Sequence, residues 1–188
     1  MLQTATRLMQ AGAIPSVSEV AEAAEVSRAT AYRYFPSQAA LVQAVVGEAL
    51  GPILGWRSRS KDAERRVASL LDTGMPRIEK FEATFKAALK LSLDHWAQRE
   101  AGTLGDEPTF ARGHRRDLLA DALAPLKDQV DPQVFARLTQ ALSLIFGVEA
   151  VVVLKDIWGL NGEEMLSVAQ WAAQALIRSA VVESGSGA

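Results

Sequence analysis

Seven consecutive positions, 28 to 34, hold Arg28, Thr30, Tyr32, Arg33 and Tyr34 together with two alanines. No nucleophile stands beside a base in this set, and no carboxylate faces another. What it offers is recognition. Guanidinium groups fork onto guanine edges or phosphate oxygens, and hydroxyls reach phosphates or bases.

The rest of the chain holds little that could do bond-making chemistry. Cysteine is absent, which removes disulfides, thiolate metal sites and cysteine nucleophiles together. Only two histidines occur, His95 and His114. His95 cannot share a helix face with its neighbour Asp94, and His114 lies in the basic run "RGHRR" and reads as a solvated residue. There is no HExxH, no nucleophile elbow and no phosphate-binding glycine loop. No catalytic residue, metal site or cofactor is expected, and an all-α enzyme is the remote alternative.

The elements that position residues 28–34 follow from capping and breaker signals. Ser16 with Glu19 three residues on is a capping box that starts a short helix running to about Ala24. Ser27 caps a second, residues 28–34, which Pro36 ends, and a third runs from Ser37 to about Leu50. Two helices this short bury too little alone. With a third packed across them they form the helix-turn-helix, whose second helix lies in the DNA major groove. Val20, Ala21, Ala24, Val26, Ala31 and Phe35 are the expected buried set. Of the two tyrosines, Tyr34 is expected nearer the core.

Charge is consistent only with a local patch. The net charge is -2, and residues 1–50 hold three basic side chains (Arg7, Arg28, Arg33) against four acidic ones (Glu19, Glu22, Glu25, Glu48). Any nucleic-acid contact must come from the exposed face of the second short helix.

These residues resemble a known family. "SVSEVAEAAEVSRATAYRYFPSQAALVQAV" is similar to the DNA-binding domain of the TetR family of transcriptional regulators: a valine-serine turn, a recognition helix ending in Tyr-x-Tyr-Phe, then Pro-Ser and a basic or polar residue. The likeness spans roughly residues 5–50. It implies that Ser27, Arg28, Ala29, Thr30, Tyr32, Arg33 and Tyr34 stand at DNA, with Ser16 and Ser18 at the phosphate-facing start of the preceding helix. Gln38 stands where the family usually has a phosphate-binding lysine. Glu25 takes the turn position usually held by glycine.

No alternating run of strand length occurs, so the fold class is all-α. The expected organisation is a DNA-binding domain over 1–50, a larger helical domain over 51–183 and a disordered tail over 184–188. The glycines, proline and basic residues of "GPILGWRSRSKDAERR" mark the boundary at about 51–55. Helices are expected over about 76–99, 110–127, 132–156 and 162–182. Asp131 with Pro132, and Asn161 with Glu164, open the last two.

The resemblance implies that the larger domain binds a small apolar or amphipathic effector and pairs two chains, releasing an operator as a repressor does. A dimerisation scaffold without ligand is the alternative. The candidate pocket is the stripe Phe81, Phe85, Leu89 and Trp96, with Phe110 following it. The last helix is apolar on two faces, and the one through Leu166, Ala173, Ile177 and Ala180 is the candidate dimer interface. Glu149, set among apolar residues, is expected to pair with an arginine across that interface or to face a ligand. The apolar run 141–154 has 14 residues, short of a span, and "MLQTATRLMQ" lacks the pattern of a signal peptide. No membrane partner is expected, and the cytoplasm is the expected location.

Overall fold

The computed structural model of the protein describes residues 1–105 and 113–185. Among them, all regular structure is helical: α1 Leu2–Gln10, α2 Val17–Ala23, α3 Arg28–Tyr34, α4 Gln38–Leu54, α5 Ala63–Lys80, α6 Glu82–Glu100, α7 His114–Ala122, α8 Pro132–Leu142, α9 Val148–Val151 and α10 Gly162–Gly185. A 3₁₀ turn, Ala124–Leu126, follows α7, and a π-helical segment, Val152–Ile157, follows α9.

The helices fall into two compact units. The first joins Met1–Gly51 with α6; the second joins Pro52–Lys80 with the elements from α7 onward. The N-terminal stretch of the first unit ends at Gly51, and α6 joins that unit because α1 packs against it. The last turn of α4 continues through Pro52, past the expected break.

In the first unit, Val17, Val20 and Ala21 of α2 and Ala31 of α3 are buried, and α2 packs on α3. Small residues at Ala21 and Ala31 let the two helix backbones approach. Leu41, Val42, Val45 and Ala49 of α4 add further apolar volume, the leucine and the two valines each worth about 1.5–3 kcal/mol.

In the second unit, α10 packs on α5 and α8, and α7 packs on α5 and α8. Leu70, Leu71 and Met75 of α5 meet a core that also holds Leu138 and Leu142 of α8 and Met165 and Ala169 of α10. One buried cation braces this unit. Arg66 donates to the backbone carbonyls of Ser58, Ser60, Asp121 and Ala122, and its guanidinium lies 5.6 Å from the Trp56 ring centroid. The bonds satisfy a charge that burial would otherwise penalise.

Several helix bounds differ from the sequence expectation. The helix expected over 76–99 is two: Pro76 lies inside α5, and the ladder breaks at Phe81. Proline costs about 3 kcal/mol inside a helix, but burial of Met75 and Ile78 around it holds the turn. The helix expected over 132–156 breaks after Leu142, because Gly147 adopts φ 139°, a conformation that only glycine takes readily. The start of the helix expected at 110 lies outside the described residues, and α7 ends at Ala122. At the C-terminus α10 continues through Gly185, so residues 184 and 185 are helical and not a disordered tail.

Candidate nucleic-acid interface

The caps read from sequence hold α2 and α3 in place. The Ser16 hydroxyl accepts the Glu19 N–H at 3.2 Å, while the Ser16 N–H donates to the Glu19 carboxylate at 2.7 Å. That backbone donor, and then the Ser16 hydroxyl, hold the Glu19 carboxyl below its ordinary value. The Ser27 hydroxyl accepts the Thr30 N–H at 3.2 Å and donates to the Thr30 hydroxyl at 2.9 Å. Between the helices Glu25 adopts φ 55°, the one positive φ outside glycine among the described residues. The turn requires a left-handed residue there, which explains why glycine would suit it.

With both helices fixed, α3 turns one side inward and the rest out. Ala31 is fully buried, and Arg28, Ala29, Tyr32, Arg33 and Tyr34 are exposed, with Thr30 half-buried. Tyr34 is 65% exposed and Tyr32 46%, the reverse of the expected order. Tyr34 ends α3, and its ring lies 5.4 Å from the Arg33 guanidinium. Tyr32 is partly shielded because its hydroxyl lies 3.3 Å from that of Ser18 on α2. Of the expected buried set, Val20, Ala21 and Ala31 are fully enclosed, while Ala24, Val26 and Phe35 are half-buried.

Gln38 has a role that sequence did not indicate. Its amide nitrogen donates to the carbonyls of Ile14 and Pro15 at 3.1 and 3.2 Å, pinning the loop that enters α2. The neighbouring Ser37 hydroxyl accepts the Ala40 N–H at 3.1 Å and caps α4.

The other expected sites are distributed differently from the sequence reading. Phe85 is buried on α6, Phe81 and Leu89 are half-buried, and Trp96 is 59% exposed. Phe110 lies outside the described residues. The inner face of α6 also carries two polar side chains missed as site residues. Thr84 and His95 are buried, with the Thr84 hydroxyl and His95 Nδ1 lacking a hydrogen-bond partner among the described residues. They stand 11 positions apart, three helical turns, and so share one face. Glu149 pairs with Arg115 of α7 in the same chain. No group of three or more metal-ligating side chains occurs among the described residues.

On α10 the two apolar faces need reassignment. Ala173, Ile177 and Ala180 are buried within the chain, beside Met165 and Ala169, so they belong to the core and not to a face open to a second chain. Leu166 is half-buried. Among the outward apolar side chains, which also include Val181, Val168, Trp171 and Val182 align along the helix, with Trp171 72% exposed. Their spacing, 168, 171, 175, 178 and 182, is the signal in the sequence that could have found them. Arg178 interrupts the stripe but is drawn to Glu64 of α5 at 2.9 and 3.0 Å. Ile157 and Trp158, before α10, are exposed as well. By length and composition alone α10 could cross a membrane; its buried Met165-to-Ala180 face instead marks it as a core helix of the second unit.

Residues 1–45 match the family model described as bacterial regulatory proteins, tetR family. Among solved structures, a TetR transcriptional regulator from Rhodococcus sp. RHA1 is similar in fold, with a TM-score of 0.57 and 19% sequence identity over 94% of this chain and 92% of that one. No curated protein matches the chain.

Proposed function

We propose, from the match of residues 1–45 to the tetR-family model, that the chain is a DNA-binding regulator of that kind, a homodimeric repressor that leaves its operator when a small effector binds. The observation that carries the DNA contact is the α2–α3 unit, with Ala31 locked inward and Arg28, Ala29, Tyr32, Arg33 and Tyr34 outward. Ser16, Ser18, Ser27, Thr30 and Gln38 fix that unit through hydrogen bonds and line its approach to the phosphates.

The exposed apolar stripe of α10 and the nearby Ile157 and Trp158 support pairing with a second copy, since such a surface is costly to leave in water. Two copies of α3 would then meet half-sites about 34–36 Å apart, or a multiple of this, on a pseudopalindrome. The cytoplasm is where such a regulator meets DNA.

The inner face of α6 supports the effector. Phe85, Ala88 and Leu91 are apolar, and Thr84 and His95 are buried polar groups that a ligand could satisfy. An amphipathic molecule fits that mixture. It would release DNA only to the extent that it binds better when the two DNA-binding units are wrongly spaced.

Selection of bound DNA from a random pool tests this reading. Enrichment of a palindrome with two half-sites is the expected result; enrichment of no sequence would reject it. Thermal shifts with a panel of amphipathic compounds then distinguish an effector-binding domain from a dimerisation scaffold.

A further inference from the structure

The inner face of α6 narrows the chemistry of a ligand. At about 100° per residue, Thr84, Ala88, Leu91 and His95 lie within about 60° of one another, a single buried stripe down the helix. Lys86, Lys90 and Asp94 fall on the opposite side, where Lys86 pairs with Glu82. Among the described residues of the first unit, Thr84 and His95, 0% and 6% exposed, are the buried polar side chains, and no Lys, Arg, Asp or Glu is buried there. Thr84 also departs from the habit of this chain. Thr6, Thr73 and Thr139 stand in helices and each donates to the carbonyl four residues back, at 3.0, 2.9 and 2.9 Å. The Thr84 hydroxyl makes no such bond, nor any other among the described residues, and His95 Nδ1 likewise lacks a partner. An unpaired buried polar atom carries the full desolvation penalty of its group, so two on one stripe call for a use.

The two groups stand about 16 Å apart along the helix axis, too far for one polar group to meet both. Between them the stripe is apolar, Ala88 and Leu91. We infer that the effector is an uncharged molecule, polar at both ends and apolar between, with one hydroxyl-like group on Thr84 and another on His95 Nδ1. This deepens the effector reading above and rests on it. A hydroxyl suits both ends because it donates and accepts, and so matches the threonine and either tautomer of the imidazole. The surroundings disfavour charge. A carboxylate or ammonium moved from water onto this stripe would meet no buried opposite charge among the described residues.

The test uses the full chain and three linear probes of equal carbon count: dodecanediol with a hydroxyl at each end, dodecanol, and the dicarboxylate dodecanedioate. Thermal shifts of wild type should be largest with the diol, smaller with dodecanol and absent with the dicarboxylate. Thr84→Val keeps the shape and removes the hydroxyl. It should bind the diol about fivefold more weakly, yet melt about 2–4 °C higher without ligand, because an unpaired buried hydroxyl is gone. Thr84→Ser keeps a hydroxyl and should keep the diol's affinity. His95→Phe should remove the advantage of the diol over dodecanol. Circular dichroism checks that each variant folds. The inference is overturned, with an effector domain left in place, by a dicarboxylate that binds as well as the diol or by equal affinity for diol and dodecanol in wild type. A ligand-free Thr84→Val that melts below wild type also overturns it, since the hydroxyl would then be satisfied within the protein. If no member of the wider amphipathic panel shifts wild type, the effector reading itself fails and the inference falls with it.

Discussion

The hydroxyl of Ser18 lies 3.3 Å from that of Tyr32, so the first turn of α2 touches the middle of α3. Tyr32 thereby both braces α3 and faces outward. Because the pair is exposed, Tyr32→Phe should cost under about 1 kcal/mol of stability. Operator affinity should fall about fivefold if the hydroxyl also meets DNA. A binding titration beside a denaturant melt separates the two; unchanged affinity would leave Tyr32 a brace alone.

The capping box makes a pH prediction. Glu19 is depressed in the folded state by the Ser16 N–H and then the Ser16 hydroxyl. Its contribution is therefore present above the unfolded pKa, about 4.3, and is lost as pH falls through the lower folded value. Melting temperatures of wild type and Glu19→Gln should differ at neutral pH and converge well below pH 4.3. A gap that does not close would reject an ionised carboxylate at this cap.

Glu25, at φ 55°, bears a left-handed strain of about 1–2 kcal/mol. Glycine relieves this but loses about 0.5–1 kcal/mol to unfolded-state entropy. Glu25→Gly should raise stability by about 0.5 kcal/mol, as read by urea denaturation with an unchanged m-value.

Gly74 of α5 faces the Phe146 ring so closely that a Cβ would overlap it. Phe146 is itself buried and has little room to retreat. Gly74→Ala should therefore destabilise by about 1–2 kcal/mol, overpacking outweighing the gain in helix propensity. A more stable variant would show that the ring swings aside.

Trp171 gives the sharpest test of the proposed dimer. At 72% exposure its replacement leaves the chain's own core intact. Light scattering at micromolar concentration should show a dimer for wild type and a monomer for Trp171→Glu, with little change in secondary structure. A wild-type monomer would remove the interface proposed for α10.

Local chemistry made the N-terminal module readable. Ser16, Glu19 and Ser27 cap helices within three residues of themselves, and the inward set Val20, Ala21 and Ala31 follows from periodicity. Asp131 and Asn161 likewise cap the helices they were expected to open. Such interactions depend on neighbours in sequence, and so sequence alone determined an all-α chain with a short helix presenting Arg28 to Tyr34. What only the tertiary structure decided was contact between distant segments. Ala173, Ile177 and Ala180 are small and apolar and would suit either a core or a partner, and packing on α5 and α8 claimed them for the core, leaving Trp171 outside. Gln38 became a clasp on Ile14 and Pro15, and Glu149 a partner of Arg115, because folding brought together residues 23 to 34 positions apart. Helical periodicity says which residues share a face, but which face is buried depends on what packs against it.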